Sequence, residues 1–169
     1  MIDNIINPTD LQLKDEQVVQ IKRISKATTG GRRMRFSAIV VVGDGKNHVG
    51  IGFGRANEVA SAVNKAKSSA KKRIFKVNVN KGTITHRLDI KYGSVKLMLK
   101  PASKGTGIIA SAPVRAIMEQ LGITDILTKN TGSTNPINVV KATEKGLKEL
   151  RDPLTVARQR GVTLKELFN

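Results

Sequence analysis

The 169-residue chain carries 30 lysines and arginines against 13 aspartates and glutamates, a formal net charge of +17, and it has no cysteine. The missing cysteines exclude disulfides, thiolate catalysis and zinc fingers, and two histidines are too few for the usual metal centres. The 39% of hydrophobic residues suffices for a core, no apolar run could span a membrane, and no basic-then-apolar leader begins the chain. We therefore expect a soluble, unexported protein.

The positive charge is concentrated in two segments. Residues 22–35 carry six cations and no acid, and residues 55–76 carry seven cations and one acid. A field of this kind attracts a polyanion and displaces its condensed counterions, which gives salt-sensitive binding with little sequence information. Nucleic acid is therefore the predicted partner. Because only 3% of the residues are aromatic, we expect contacts to backbone and shape more than base stacking.

The first half predicts a β-β-β-α module. A strand at 18–24 leads through a loop at 28–31 into a hairpin at 35–55, whose turn contains glycine and asparagine. Residues 36–42 are apolar on both faces, so their strand is predicted to be central. A helix is predicted at 58–75 with the apolar stripe Val59, Val63, Ala66, Ala70 and Ile74.

Three glycines recur at every second position of the return strand: Gly50, Gly52 and Gly54. They share one face, and a face without side chains admits another backbone, a helix or a phosphate. Close packing is the default interpretation, and approach of an RNA backbone is the alternative. A dinucleotide loop is disfavoured because Arg55 stands where the G-x-G-x-x-G pattern needs its last glycine. Neither a nucleophile elbow nor a P-loop occurs, so catalysis has no predicted centre.

The second half begins after a predicted break at 78–82. It predicts strands at 83–90 and 94–100, a helix at 113–121 with proline first and glycine after it, a strand within 123–129, and a helix starting at Asn135-Pro136. Gly146 is a weak spot in that last helix. A capping-box pattern at 163–166 predicts a short terminal helix. The predicted organisation is a tail at 1–16, domains at 17–80 and 81–152, and a second tail at 153–169.

Three blocks of sequence carry a family resemblance. The first runs from Gly-Gly-Arg-Arg at 30–33 to the glycine strand ending at 54, the second is 101–116, and the third is Gly-Ser-Thr-Asn-Pro-Ile-Asn with the residues after it, at 132–143. Together, over residues 18 to 150, they resemble the bacterial-type small-subunit ribosomal protein five family. Positions that depart from the family's pattern are Thr29, Arg55, Ala60, Ser111 and Ala112.

The resemblance implies an α+β fold of two domains. The N-terminal domain would be like a double-stranded RNA-binding domain, and the C-terminal domain would contain a left-handed β-α-β crossover, a rare hand. It also implies a cytoplasmic place in the small ribosomal subunit, on 16S rRNA near the decoding region and the mRNA entry, touching ribosomal proteins four and eight. Ser25, Lys26, Gly30 and Gly31 match the family's segment beside the spectinomycin site. Gly105 and Arg115 match its contact with protein four, which affects decoding accuracy.

The predicted function is a structural, non-enzymatic constituent of the small subunit that supports assembly and translational accuracy. It needs no cofactor or metal and contacts no membrane. The alternative is a free-standing double-stranded RNA chaperone or regulator. The residues predicted to bind RNA are Lys22, Arg23, Ser25, Lys26, Gly30, Gly31, Arg32, Arg33, Arg35, Gly52, Gly54, Arg55, Lys65 and Lys72.

Overall fold

The structure is a computed structural model that describes residues 11–164 and 166. The first half contains β1 (Gln17–Thr28), β2 (Gly31–Gly43), β3 (His48–Ala56), α1 (Val59–Lys71), β4 (Ile74–Lys76), β5 (Val79–Asn80) and β6 (Thr83–Ile84). The second half contains β7 (Leu88–Tyr92), β8 (Val95–Pro101), β9 (Ile108–Ile109), α2 (Ala112–Leu121), β10 (Ile126–Gly132), α3 (Pro136–Glu149) and α4 (Pro153–Arg160). None of the described helices is long and apolar enough to cross a membrane.

The first sheet is antiparallel with the strand order β1-β2-β3-β4. The central position predicted for β2 is confirmed, and the two apolar faces of its second half are both covered. The predicted helix at 58–75 is too long. It ends at Lys71, and the residues from Ile74 to Lys76 form the edge strand β4, which pairs with the start of β3. Ile74 continues the helical spacing of apolar residues, which is why periodicity alone extended the helix.

One face of β3 packs directly on α1. A Cβ atom built at Gly50, Gly52 or Gly54 would collide with backbone carbonyl oxygens of the helix. The helix packs three fully buried alanines against this glycine face: Ala62, Ala66 and Ala70. The close-packing interpretation of the glycines is therefore confirmed, and their face is closed to a phosphate by the helix.

The predicted apolar stripe of α1 is partly wrong for the same reason. Val59 is 39% exposed and Val63 is only partly buried. A glycine face leaves room for the methyl group of alanine but not for the larger valine side chain. The helix therefore turns its alanine row toward the sheet and keeps both valines at its edge.

The opposite face of the first sheet packs on the second half. Ile39, Val41 and Ile51 belong to the same core cluster as Ile117 and Leu121 of α2, all with relative exposures of 4% or less. The two halves therefore bury one common core. Burial of apolar area on this scale is the main stabilising contribution to such a contact. This shared core fixes the angle between the halves.

The second sheet has the order β7-β8-β10-β9, with β9 and β10 parallel and connected by α2. That connection is a β-α-β unit, as the resemblance implies. The predicted helices are confirmed: α2 has proline in its first turn and left-handed Gly122 as its cap, and the side chain of Asn135 caps α3. The strand predicted within 123–129 lies slightly later, and the two-residue strand β9 is too short to give a sequence signal.

Four details differ from the sequence-based prediction. The single strand predicted at 83–90 is instead two strands of different sheets, β6 and β7. Gly146 is a packing position, because a Cβ there would collide with the side chain of Ile90. The break at 78–82 is a tight hairpin whose turn residues, Lys81 and Gly82, both have positive φ. The predicted tail begins with a helix, α4. The capping box beyond it is confirmed by hydrogen bonds between Thr163 and Glu166, but the remainder of the predicted terminal helix lies outside the described residues.

Replacing Gly52 by alanine tests the close contact between β3 and α1. The new methyl group would meet the backbone of α1 at Ala66, which cannot move aside as a side chain can. We expect the free energy of unfolding to fall by about 1–3 kcal/mol, measured by urea denaturation. Gly30→Ala is the matched control, since no atom lies within 4 Å of its Cβ position. Equal stability of the two variants would contradict this packing.

Candidate nucleic-acid interface

The most basic segment of the chain forms a two-stranded arm. β1 and β2 stay paired from Lys22 to the turn at residues 28–31, whereas β3 ends at Ala56, opposite Phe36. We call residues 22–35 the hairpin arm. With about 3.4 Å per residue it projects about 20 Å beyond the third strand. The loop predicted at 28–31 is therefore only the tip of a regular hairpin.

The cations of the hairpin arm are exposed and unmatched. Every arm residue except the partly buried Ile24 is exposed. Within the described part of the chain, no carboxylate forms an ion pair with any of its six cations. Elsewhere pairing does occur, as between Lys67 of α1 and Glu16 at 2.6 Å. Like charges held together without acids repel one another, so an approaching polyanion would be attracted strongly.

Strand register sorts these cations onto two sides of the arm. Directly opposed residues of an antiparallel ladder project to the same side, and residues two apart on one strand do so as well. Lys26 lies opposite Arg33, and Ser37 lies opposite both Lys22 and Arg55. Five cations therefore share one side, which we call the basic face: Lys22, Lys26, Arg33, Arg35 and Arg55.

The other side of the arm is less charged. Arg23 and Arg32 project there, together with Ser25 and the apolar side chains of Met34 and Phe36. It is continuous with the side of the sheet that α1 covers. The predicted binding residues of the arm are thus brought together as a single hairpin but divided between two faces, which charge counting cannot reveal.

Two adjoining depressions line the basic face. A small one of about 320 Å³ is bordered by Lys26, Arg33, Arg35 and Arg55. A groove of about 1220 Å³ begins beside it and includes Lys22, Arg55 and Lys65 of α1 in its wall. Arg55 borders both, so the two depressions form one continuous basic surface.

The remaining predicted RNA contacts have different positions. Gly30 and Gly31 lie at the exposed tip of the arm. Lys72 is exposed at the C-terminal end of α1 and does not border either depression. Gly52 and Gly54 are buried, and α1 covers the face on which a Cβ atom would lie, so RNA cannot approach them from that face; Gly54 also borders the groove. Among the described residues, no group of three or more His, Cys, Asp or Glu side chains could hold a metal ion.

Two cations of the groove are absent from the residues predicted to bind RNA, although Arg73 belongs to the basic segment at 55–76. Arg73 lies just after α1, and Lys141 lies on α3, in the other half of the molecule. Lys141 places its ammonium group 5.8 Å from the centre of the Phe53 ring. Nothing in the local sequence distinguishes Lys141 from other lysines. Only the packing of the two halves brings it beside the basic face.

The two residues predicted for a protein contact lie on connected segments near β9. The backbone N–H of Gly105 donates to the carboxylate of Asp125 at 2.9 Å, and so does that of Gly107. Arg115 of α2 donates to the carbonyl of Ile108 at 2.7 Å while its side chain stays exposed. Asp125 thus shapes the loop that carries Gly105. Both glycines have positive φ, which this tight loop requires.

Comparison with known proteins gives consistent matches. A family model described as ribosomal protein S5, N-terminal domain, matches residues 14–78, and one described as ribosomal protein S5, C-terminal domain, matches residues 90–160. The small ribosomal subunit protein uS5 of Dehalococcoides mccartyi strain ATCC BAA-2266 is 50% identical over 161 residues, covering 95% of this chain and 93% of that protein. That of Bacteroides thetaiotaomicron is 46% identical over 168 residues, covering 99% and 97%.

The loop held by Asp125 gives a pH-dependent prediction. Hydrogen bonds from the Thr124 hydroxyl, then from the Gly107 and Gly105 amides, lower the pKa of Asp125. The folded state therefore favours the ionised carboxylate. This contribution to stability is complete above the unfolded-state pKa, about 3.9, and is lost as the pH falls through the lower folded-state value.

We therefore expect Asp125→Asn to unfold more easily than the parent protein at pH 7, and the difference to shrink in acid, because protonated aspartate and asparagine are both neutral. Urea denaturation at pH 7 and near pH 3 measures this. Asp89→Asn is the control, since Asp89 is exposed and pairs only with Arg87 at the surface. A difference for Asp125→Asn that is equal at both pH values would refute the stated role of its charge.

Proposed function

This chain belongs to the ribosomal protein S5 family, whose members are structural, non-enzymatic proteins of the small ribosomal subunit, and we propose that it binds 16S rRNA through the basic face of its hairpin arm. The proposed place of binding is near the decoding region and the mRNA entry. Bound there, the protein supports subunit assembly and translational accuracy. Its role is that of a scaffold, in which cations lower the cost of bringing RNA helices together and a rigid body sets their arrangement.

The observation that carries this proposal is the basic face itself. Five cations share one side, four on the exposed ribbon and Arg55 on β3, and the described residues offer no carboxylate in an ion pair with any of them. Each phosphate that such a side chain neutralises releases counterions, so the binding free energy depends strongly on salt. Arginine can also bind a phosphate with two parallel hydrogen bonds, which fixes the orientation of the RNA.

The manner of binding follows from the shape of the arm. A two-stranded ribbon is rigid along its ladder and narrow enough to lie along a row of phosphates. The described aromatic rings, of Phe36, Phe53, Phe75 and Tyr92, are all partly buried. Base stacking on exposed rings is therefore not how this surface would hold RNA. The proposal is recognition of backbone and shape, with base sequence read little or not at all.

The proposed protein partners are ribosomal proteins four and eight, with mRNA passing nearby. The family resemblance supports a contact with protein four. We propose that the loop of Gly105 and the side chain of Arg115 form the surface that makes this contact. That loop is held in one conformation by the Asp125 carboxylate. An ordered loop loses little conformational freedom when a partner binds, which favours a specific contact.

A comparison of the two faces of the arm tests RNA binding. Arg33→Ala/Arg35→Ala removes two charges from the basic face, and Arg23→Ala/Arg32→Ala removes two from the other face of the same exposed ribbon. With an RNA fragment of the decoding region, we expect the first variant to lower the slope of log K against log salt by about 2. The second variant should change it by less than half as much.

Equal slopes for the two variants would mean that only overall charge matters, and the assignment to one face would be abandoned. Urea denaturation of both variants checks that folding is intact. The four replaced arginines are exposed and form no ion pair with any described carboxylate. We therefore expect the unfolding free energies of both variants to lie within about 0.5 kcal/mol of that of the parent.

Sedimentation separates the ribosomal role from a free-standing RNA chaperone. A tagged full-length protein is expected to co-sediment with small subunits and to stay bound through a high-salt wash, because many simultaneous contacts hold it. A loosely bound regulator would be released by the same wash. Recovery with heterogeneous duplex RNA in place of small subunits would favour the chaperone.

A further inference from the structure

We propose that the groove between the two halves binds a stretch of RNA phosphate backbone, contacted by Arg73 from the first half and by Lys141 from the second. The inference rests on the proposed RNA binding and extends it to residues in both halves of the molecule. Its consequence is that one RNA segment contacts both halves at once.

The groove is large enough for a chain of phosphates. It has a volume of about 1220 Å³ and runs from the face of the first sheet that is directed toward the second half to the beginning of α3. Phe53 lies in its wall, and so does Pro136 at the start of α3. Because the shared core packs the two halves against each other, the opposing walls are held at a fixed separation.

Positive charge dominates the walls. Among the residues that the structure describes, five cations and one carboxylate, that of Glu144, border the groove. That carboxylate is already engaged by Lys148, which lies 2.7 Å away and does not border the groove. It therefore neutralises little of the groove's charge. The five cations are Lys22, Arg55, Lys65, Arg73 and Lys141.

Lys141 is held in place by aromatic rings. Its ammonium group lies 5.8 Å from the ring centre of Phe53 and 6.0 Å from that of Tyr92. A cation over an aromatic face is attracted by the ring without losing its charge, so it can still bind an anion. No carboxylate among the described residues forms an ion pair with Lys141. It is thus positioned in advance and unneutralised.

The start of α3 adds groups that attract an anion. The first backbone amides of the helix are already bonded, that of Ile137 to the Asn135 side chain and that of Val139 to the Asn135 carbonyl. They cannot hold a phosphate. What this end offers is the positive end of the helix dipole and the hydroxyl groups of Ser133 and Thr134, which border the groove. Lysine and arginine therefore supply most of the attraction.

The groove is continuous with the basic face through Arg55, which borders both depressions. A strand of RNA lying along the arm can therefore continue into the groove without leaving cationic surface. This continuity favours RNA over an isolated phosphate ion, which would need only one end of the groove.

The test replaces both new contact residues by methionine, Arg73→Met/Lys141→Met. Methionine keeps an aliphatic stem over the Phe53 ring and removes the charge. Lys96→Met/Lys145→Met is the matched control, because both residues are exposed and neither borders the groove. With the same decoding-region RNA, we expect the groove variant to lower the salt slope by about 2. The control should leave the slope nearly unchanged.

The two proposals fail in different ways. If Arg33→Ala/Arg35→Ala lowers the slope but the groove variant does not, the groove inference is wrong and RNA binding by the arm stands. If neither variant lowers it, both are wrong. The charge-retaining pair Arg73→Lys/Lys141→Arg should restore most of the slope, which separates charge from packing.

A measurement on the unaltered protein gives an independent check. Bound RNA is expected to slow acetylation of the Lys141 amine severalfold, relative to Lys145 on the exposed side of α3. Equal protection of the two lysines would overturn the inference. Inorganic phosphate at the same ionic strength is the second arm, and protection of Lys141 as strong as that by RNA would assign the groove to free phosphate instead.

Discussion

The close approach of β3 to α1 is the constraint on which the rest of the structure depends. Glycine at every second position lets the helix backbone lie directly on the strand, and three alanines complete the contact. Because α1 covers one face of the sheet, the branched apolar residues of the opposite face pack against the second half. A sheet buried on both faces thereby becomes the common wall of the two halves. The groove exists because that wall fixes their separation.

The same arrangement explains where the charge is. β2 is apolar at Val40 to Val42, where β3 and α1 cover it, and basic from Arg32 to Arg35, where it pairs with β1 alone. Past the end of β3 the ribbon has little to pack against, and among its residues only Ile24 is partly buried, so apolar side chains there would gain little burial. Arginine and lysine can occupy these positions at little cost to folding. The transition from core to candidate binding surface occurs within a single strand, at the residue where its second partner, β3, ends.

Sequence patterns predicted the parts of this fold that local chemistry determines. The apolar run at 36–42 indicated a central strand, the glycine repeat indicated close packing, and Asn135-Pro136 marked the start of α3. The predicted stripe of α1 was partly wrong because periodicity cannot tell an alanine face from a valine face unless the partner surface is known. β4 was missed because three residues after a helix give no distinct signal.

The composition of the candidate binding surface was predicted, but its arrangement was not. Charge density identified the segment at 22–35, yet the division into two faces depends on which residues oppose each other, and register is a property of the paired strands. The position of Lys141 is even harder to predict, since it borders the groove only because one half packs on the other. Side chains that come together from two domains have no characteristic spacing in the sequence, so sequence patterns cannot identify them.

A scaffold for RNA needs rigidity more than affinity, and the structure supplies it with few elements. The arm is stiffened by its ladder, the two halves by their shared core, and the loop of Gly105 by the Asp125 carboxylate. Salt-sensitive contacts through lysine and arginine form and break readily when each is taken alone. Placed on surfaces that apolar packing holds at one relative angle, the same contacts would become cooperative, because an RNA segment bound at the arm would already have the orientation that the groove requires. Geometry fixed by apolar packing is therefore what would turn a diffuse positive charge into a defined RNA-binding site.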